Sequence, residues 1–179
     1  SDLPASLVHR TRRAVYFSGS TTGNFEIDES IELLRGMARL CGPQGGLLIA
    51  ADLQKDRAVL QAAYDDSQGV TRAFNQNLLH RANAELGANF DVDQFAHRAV
   101  YNEDRARMEM HLVSQRDQRV TIAGRHIQFA AGETIHTENS HKYTLQSFAD
   151  IAAEAGLQVA EVWTDDRDYF SLQYLTAAD

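Results

Sequence analysis

Residues 133–143 read ETIHTENSHKY and gather carboxylates, an amide, hydroxyls and two imidazoles into one short segment. Glu138 and Ser140 lie two apart, and in an extended strand that spacing puts both on one side. A carboxylate accepts hydrogen bonds and a hydroxyl also donates one, which is what a ring with two nitrogens such as imidazole requires. The same two residues could equally be ordinary polar positions on an exposed strand edge. Nearby histidines raise metal chemistry. His136 and His141 are five apart, and no third ligand, His111 included, follows at metal-site spacing, so zinc is rejected and the metal expectation is none. No Ser-His-Asp order and no thiol nucleophile is supported. Cys41 falls in an apolar helical pattern and reads as a buried structural thiol.

Several elements must position this segment. Arg13 to Phe17 is a short apolar run that enters the Gly-rich turn SGSTTGN. Asp28 is expected to cap a following helix with apolar positions Ile31, Leu34, Met37 and Cys41, stopped by Gly42 and Pro43. GGLLIAADL, residues 45–53, is a second apolar run. Strand, helix and strand with wholly apolar strands predict a parallel, right-handed βαβ unit. After Leu53 the character changes. Asp56 to Leu86 has helical pattern, broken at Ser67-Gln68-Gly69, with Leu60, Ala63 and Tyr64 as one stripe. Val70, Phe74, Asn77, Leu78 and Arg81 form a second face. From His97 to Glu138 the segments RMEMHLVS, QRVTI, RHIQF and ETIHTE read as short strands. Leu145 to Ala155 restores a helix, and LQVAEVWTD and YFSLQYL close the chain as an antiparallel pair around Asp165–Asp168. The expected organisation is a partial core in residues 1–53, an inserted lobe in 54–139 and completion of the core in 140–179.

Composition narrows the function classes. The 179 residues carry a formal net charge of −8 and a single cysteine. Such a chain is a poor candidate for a phosphate backbone or an anionic membrane, and it cannot form an internal disulfide. No apolar run reaches membrane-spanning length, and the first residues lack a signal-peptide core. A cytoplasmic protein with no nucleic-acid or membrane partner is the expectation.

The turn GSTTGN, the acidic helix start and GGLLIAADL resemble the fourth and fifth strands of a class I S-adenosylmethionine-dependent methyltransferase. AAYDDSQGVTRAFNQNLLHRANAELGANFD, RMEMHLVS, FAAGETIHTENSHKYT and AGLQVAEVWTDDRDYFSL resemble, in order, the histidine-specific methyltransferase family, which includes the L-histidine Nα-methyltransferase of ergothioneine biosynthesis. The resemblance implies an α/β fold: the C-terminal part of a class I, Rossmann-like sheet, with an inserted helix-plus-β lobe that binds substrate. It implies S-adenosylmethionine as cofactor and L-histidine as substrate. Family members carry a longer N-terminal half with the cofactor's Gly-rich loop and a ribose-binding acid. No such loop precedes residue 13 here, so the chain is expected to be a fragment or a shortened homologue, with its cofactor-binding residues unassigned.

The resemblance also assigns roles. Asn24 would hold the substrate's amino-acid end, since an amide both donates and accepts; its alternative is to cap the turn. Tyr64 would donate to the substrate carboxylate, or else be an amphipathic core tyrosine. Asp65 and Asp66 are solvated or cap the next helix. Glu138 and Ser140 would read the imidazole, and Met110 would pack against it as a soft wall or be plain core. Gly19 would let the backbone approach the amine and methyl, and Asn139 is a neighbour. Ser18 replaces the family's usual proline. No residue is given a catalytic role, because methyl transfer to a neutral amine is mostly positioning. Alternatives are a non-catalytic amino-acid-binding fragment, self-association through the sheet edge, or a tryptophan-like substrate. Glu138 with Met110 argues against the last, since an indole offers only a donor N–H.

Overall fold

The computed structural model describes residues 12–178. They divide into two compact units, one of residues up to Gln54 together with those from His141 onward, the other Lys55–Ser140.

In the first unit β1 (Ala14–Phe17) and β2 (Gly46–Asp52) pair in parallel, with Val15 opposite Leu47. Helix α1 (Ile27–Cys41) crosses between them and buries Ile31, Leu34, Met37 and Cys41, one every three or four residues. Its cap is Glu26, not the expected Asp28, which lies inside the first turn. The Glu29 carboxylate accepts the Glu26 N–H at 3.0 Å, and the Glu26 side chain reciprocates. A capping box satisfies two orphan donors together, which a single Asp at that position cannot do. Gly42, with φ 71°, closes the helix. The chain ends in β8 (Leu157–Thr164) and β9 (Phe170–Ala177), antiparallel to each other, giving the sheet order β1-β2-β9-β8 with β9 antiparallel to β2. Helix α4 (Leu145–Glu154) is capped by Thr144, and its Phe148 joins Leu34, Leu47, Ile49 and Leu175 in a core from which all five are excluded from solvent. Cys41 is buried there, donating its thiol to the Gly46 carbonyl at 3.1 Å, and burial pushes its pKa up. That is a structural thiol.

In the second unit α2 (Arg57–Tyr64) and α3 (Val70–Leu86) accompany a three-stranded sheet of β3 (Phe95–Asn102), β4 (Arg107–Ser114) and β7 (Thr134–His141), in the order β3-β4-β7. β5 (Gln118–Ile122) and β6 (Arg125–Phe129) form a separate hairpin. Phe95 and Phe129 meet edge to face at 5.3 Å, with Leu79, Leu112 and Val120 around them. Leu60, Ala99 and Met108 make a second cluster. The apolar stripe read on α3 is the outward one: Val70, Phe74 and Leu78 are exposed, and the helix buries Asn75 and Leu79 instead. Asn75 is inside because its amide donates to the His111 carbonyl at 3.1 Å, tying the helix to β4.

Between the helices Asp66 accepts from the backbone N–H of Thr71 at 2.8 Å and of Val70 at 3.0 Å. Those two bonds hold its pKa at about 2. Its contribution is therefore complete above the unfolded carboxylate value and is lost as pH falls through the folded one. Asp66→Ala is expected to lower the melting temperature at pH 7, and the difference from wild type should shrink as pH falls towards the folded pKa of about 2 and disappear only below it. Equal melting temperatures at pH 7 would refute the capping role.

Candidate functional site

Two sets of residues carry the expected chemistry. The first lies in the turn between β1 and α1. Gly19 and Ser20 are both left-handed, with φ of 80° and 52°. Glycine adopts that conformation without strain, whereas serine does so only when held. Ser20 is held by the Asp52 N–H, which donates to its hydroxyl at 2.8 Å. The chain then makes a short 3-10 turn, Thr21–Asn24. The Thr22 carbonyl inside it accepts from the Ser30 hydroxyl at 3.1 Å and the Tyr143 phenol at 3.4 Å. Asn24 ends the turn at the surface. Asp52 in turn pairs with Lys142, Nζ to Oδ2 2.7 Å, with the lysine side chain only 1 % exposed. So a buried ion pair backs the turn that carries Gly19 and Asn24.

The second set lies in the other unit. The Tyr64 phenol donates to the Ser140 hydroxyl at 2.8 Å. Tyr64 is itself fixed: His97 Nε2 meets its carbonyl at 2.8 Å, and Asn75 Nδ2 meets His97 Nδ1 at 3.0 Å. A carbonyl only accepts, so Nε2 carries the hydrogen and Nδ1 takes the amide's. Helix α3, strand β3 and helix α2 thus set one phenol against β7. Met110 is buried on β4, the strand beside β7, and the Thr137 hydroxyl donates to its carbonyl at 2.9 Å. Glu138 and Asn139 are half-buried on β7, and Ser140 is buried at its end.

Both sets include residues that the sequence had assigned no role in the site. Asp52, at the end of an apolar strand, was the available signal for the first. Lys142 carries no local signal, because its partner lies 90 residues away in sequence. A third group lies outside both sets. Glu109 and His111, two apart on β4, meet His136 of β7, and one ligand atom from each lies within 4.8 Å of the other two. The Glu109 carboxylate is half-buried, and burial works against its charge. Hydrogen bonds from Arg107 and Asn102 outweigh that and hold it below its ordinary value. Burial first, then the charges of His136 and Arg98, push His111 down against the pull of Glu109.

The family model for histidine-specific, S-adenosylmethionine-dependent methyltransferases matches residues 1–177. The chain belongs to that family. It is 43% identical over 166 residues to a histidine N-alpha-methyltransferase of Mycolicibacterium smegmatis, covering 92% of this chain and 52% of that protein. A histidine N-alpha-methyltransferase of Mycobacterium tuberculosis is 41% identical, over 90% of this chain and 51% of its own. An ergothioneine biosynthesis protein 1 of Neurospora crassa is 28% identical over 88% of this chain and 18% of its length. The chain therefore spans about half the length of the bacterial relatives it matches. Among its described residues no helix is long and apolar enough to cross a membrane.

Proposed function

We propose that a polypeptide of the relatives' length containing this chain methylates the α-amino nitrogen of L-histidine, in the chemistry that leads to ergothioneine. The reading rests on the family match and on the bacterial relatives being histidine N-alpha-methyltransferases. The observation that carries the substrate assignment is on β7, an extended strand with Glu138 and Ser140 two residues apart and Tyr64 donating to Ser140. In this reading Ser140, held by the Tyr64 phenol, would serve one ring nitrogen and Glu138 the other. A neutral imidazole presents one donor and one acceptor and satisfies both; an indole leaves the serine unmatched. Met110 would supply an apolar wall. In the first unit the Asn24 amide would donate to the substrate carboxylate and accept from the amine, and Gly19 would admit backbone close to the reacting nitrogen. Residues Lys55–Ser140, with Tyr64, Met110, Glu138, Asn139 and Ser140, would be the substrate-binding lobe.

S-adenosylmethionine supplies an electrophilic methyl on a sulfonium. The turn after β1 lies at the carboxyl end of a parallel pair, where open α/β sheets bind such ligands, and this fits the family's cofactor. The task of this chain's residues is to present the amine neutral, with its lone pair aimed at that methyl, and to shed water around it. The test is a methyl-transfer assay on the longer polypeptide, with mass spectrometry of the product and calorimetry with histidine. Methylated histidine is expected; no product and no histidine-dependent heat would remove the reading. Self-association is the second reading, because among the described residues β1 pairs only with β2. A concentration-dependent dimer in size-exclusion chromatography would support it.

A further inference from the structure

The most unusual polar group outside those sets is His111. Its side chain is 12% exposed, yet among the described residues neither ring nitrogen makes a hydrogen bond of ordinary length. Nδ1 is buried with no partner, and Nε2 stands 3.5 Å from Glu109 Oε2. A buried imidazole nitrogen that stops 3.5 Å short of a carboxylate oxygen, too far for a good hydrogen bond, leaves room for a ligand shared between Nε2 and Oε2. Two neighbours have the chemistry to share that ligand. The His136 ring stacks on His111 with centroids 4.7 Å apart. Glu109 has its Oε1 fixed by Arg107 Nε at 2.9 Å and Asn102 Nδ2 at 3.1 Å, leaving Oε2 turned to His111. Carboxylates oriented by such outer contacts are typical of metal ligands.

We propose that Glu109, His111 and His136 form a site for a borderline divalent transition cation, zinc being the best fit. Two ligand atoms on a tetrahedral zinc, with bonds near 2.0–2.1 Å, stand about 3.4 Å apart. His111 Nε2 and Glu109 Oε2 are already at 3.5 Å. His136 is exposed, and its ligand nitrogen lies within 4.8 Å of both others, so a turn of one surface ring closes the set. Two imidazoles and a carboxylate leave a fourth position for water. The spacing in sequence hides the site, since His111 and His136 come from different strands. Electrostatics limits its strength. Arg107 neutralises the carboxylate's charge, and Arg98 lies directly opposite His111 on β3. Binding should therefore be micromolar rather than tighter, and removing Arg98 should improve it.

The experiment is calorimetric titration of the 179-residue chain with zinc chloride, paired with the visible absorption of its cobalt complex. One zinc per chain is expected. His136→Ala and Glu109→Gln should each weaken it at least tenfold, as loss of a ligand costs no less than loss of an outer contact. Arg98→Gln should tighten it about two- to fivefold by lifting a repulsive charge. The cobalt band should disappear in His136→Ala. Far-UV circular dichroism checks folding, and if Glu109→Gln unfolds the chain, the exposed His136→Ala decides. No zinc binding by the wild-type chain, or equal affinity in His136→Ala, would overturn the proposal.

Discussion

Glu138→Ala, in a polypeptide of the relatives' length, is expected to lower kcat/KM for histidine about a hundredfold. A hydrogen bond to a charged acceptor contributes about 1.5–3 kcal/mol, or roughly 10- to 150-fold, and the upper part of that range applies when the partner is left unmatched in a closed site. The loss should fall mainly on KM. The ring does not react, so the contact is made equally before and during methyl transfer. Glu138→Gln should cost about tenfold, because the amide still accepts but without charge. Selectivity separates this from a general disturbance of β7. An apolar side chain at 138 no longer rewards a ring with two nitrogens, so the preference for histidine over tryptophan should shrink by a similar factor. Steady-state kinetics on both amino acids gives the answer. A loss below threefold for histidine, with Ser140 and Tyr64 intact, would dismiss the imidazole-reading role.

The βαβ unit was legible because its signals are local. The two apolar runs, the stripe at Ile31, Leu34, Met37 and Cys41, and the stop at Gly42 all lie within a few residues of what they specify. RMEMHLVS shows the same for β4, where alternation buries Met108, Met110 and Leu112. Readings failed where a distant partner decides. The α3 stripe through Val70, Phe74 and Leu78 was sound helical pattern, yet Asn75 turned inward because a carbonyl on β4 awaited its amide. β3 fell within the stretch read as β-like from His97, and its own bounds come from its pairing with β4. In the site, the Glu138–Ser140 spacing was visible within one segment. The Tyr64 contact to Ser140 spans 76 residues, and no local pattern announces it. His111 and His136 were read against His141 by spacing along the chain, whereas adjacent strands bring them together across the sheet.

The ion pair of Asp52 and Lys142 backs the turn that carries Gly19 and Asn24, and its two halves should not respond equally to substitution. Lys142 Nζ is 2.7 Å from Asp52 Oδ2, but the lysine side chain is 1% exposed and the aspartate 21%. Asp52→Ala takes the carboxylate away from a charge that water barely reaches, at an expected cost of about 3 kcal/mol, the low end for breaking a buried pair. Lys142→Met keeps the volume of the stem and leaves a carboxylate that solvent can reach, so it should cost about 1 kcal/mol. The Asp52 N–H that fixes Ser20 belongs to the backbone, so neither change deletes that bond, but Asp52→Ala frees the strand end that presents it. Ser20 keeps its left-handed conformation only while held. The turn to Asn24 should therefore loosen in Asp52→Ala and stay ordered in Lys142→Met. Urea denaturation of both single variants and the double variant measures the coupling, and amide hydrogen exchange at Thr22 and Gly23 reports the turn. Equal costs for the two single variants, with unchanged exchange in Asp52→Ala, would show that this pair neither stabilises the fold through a buried charge nor holds the turn.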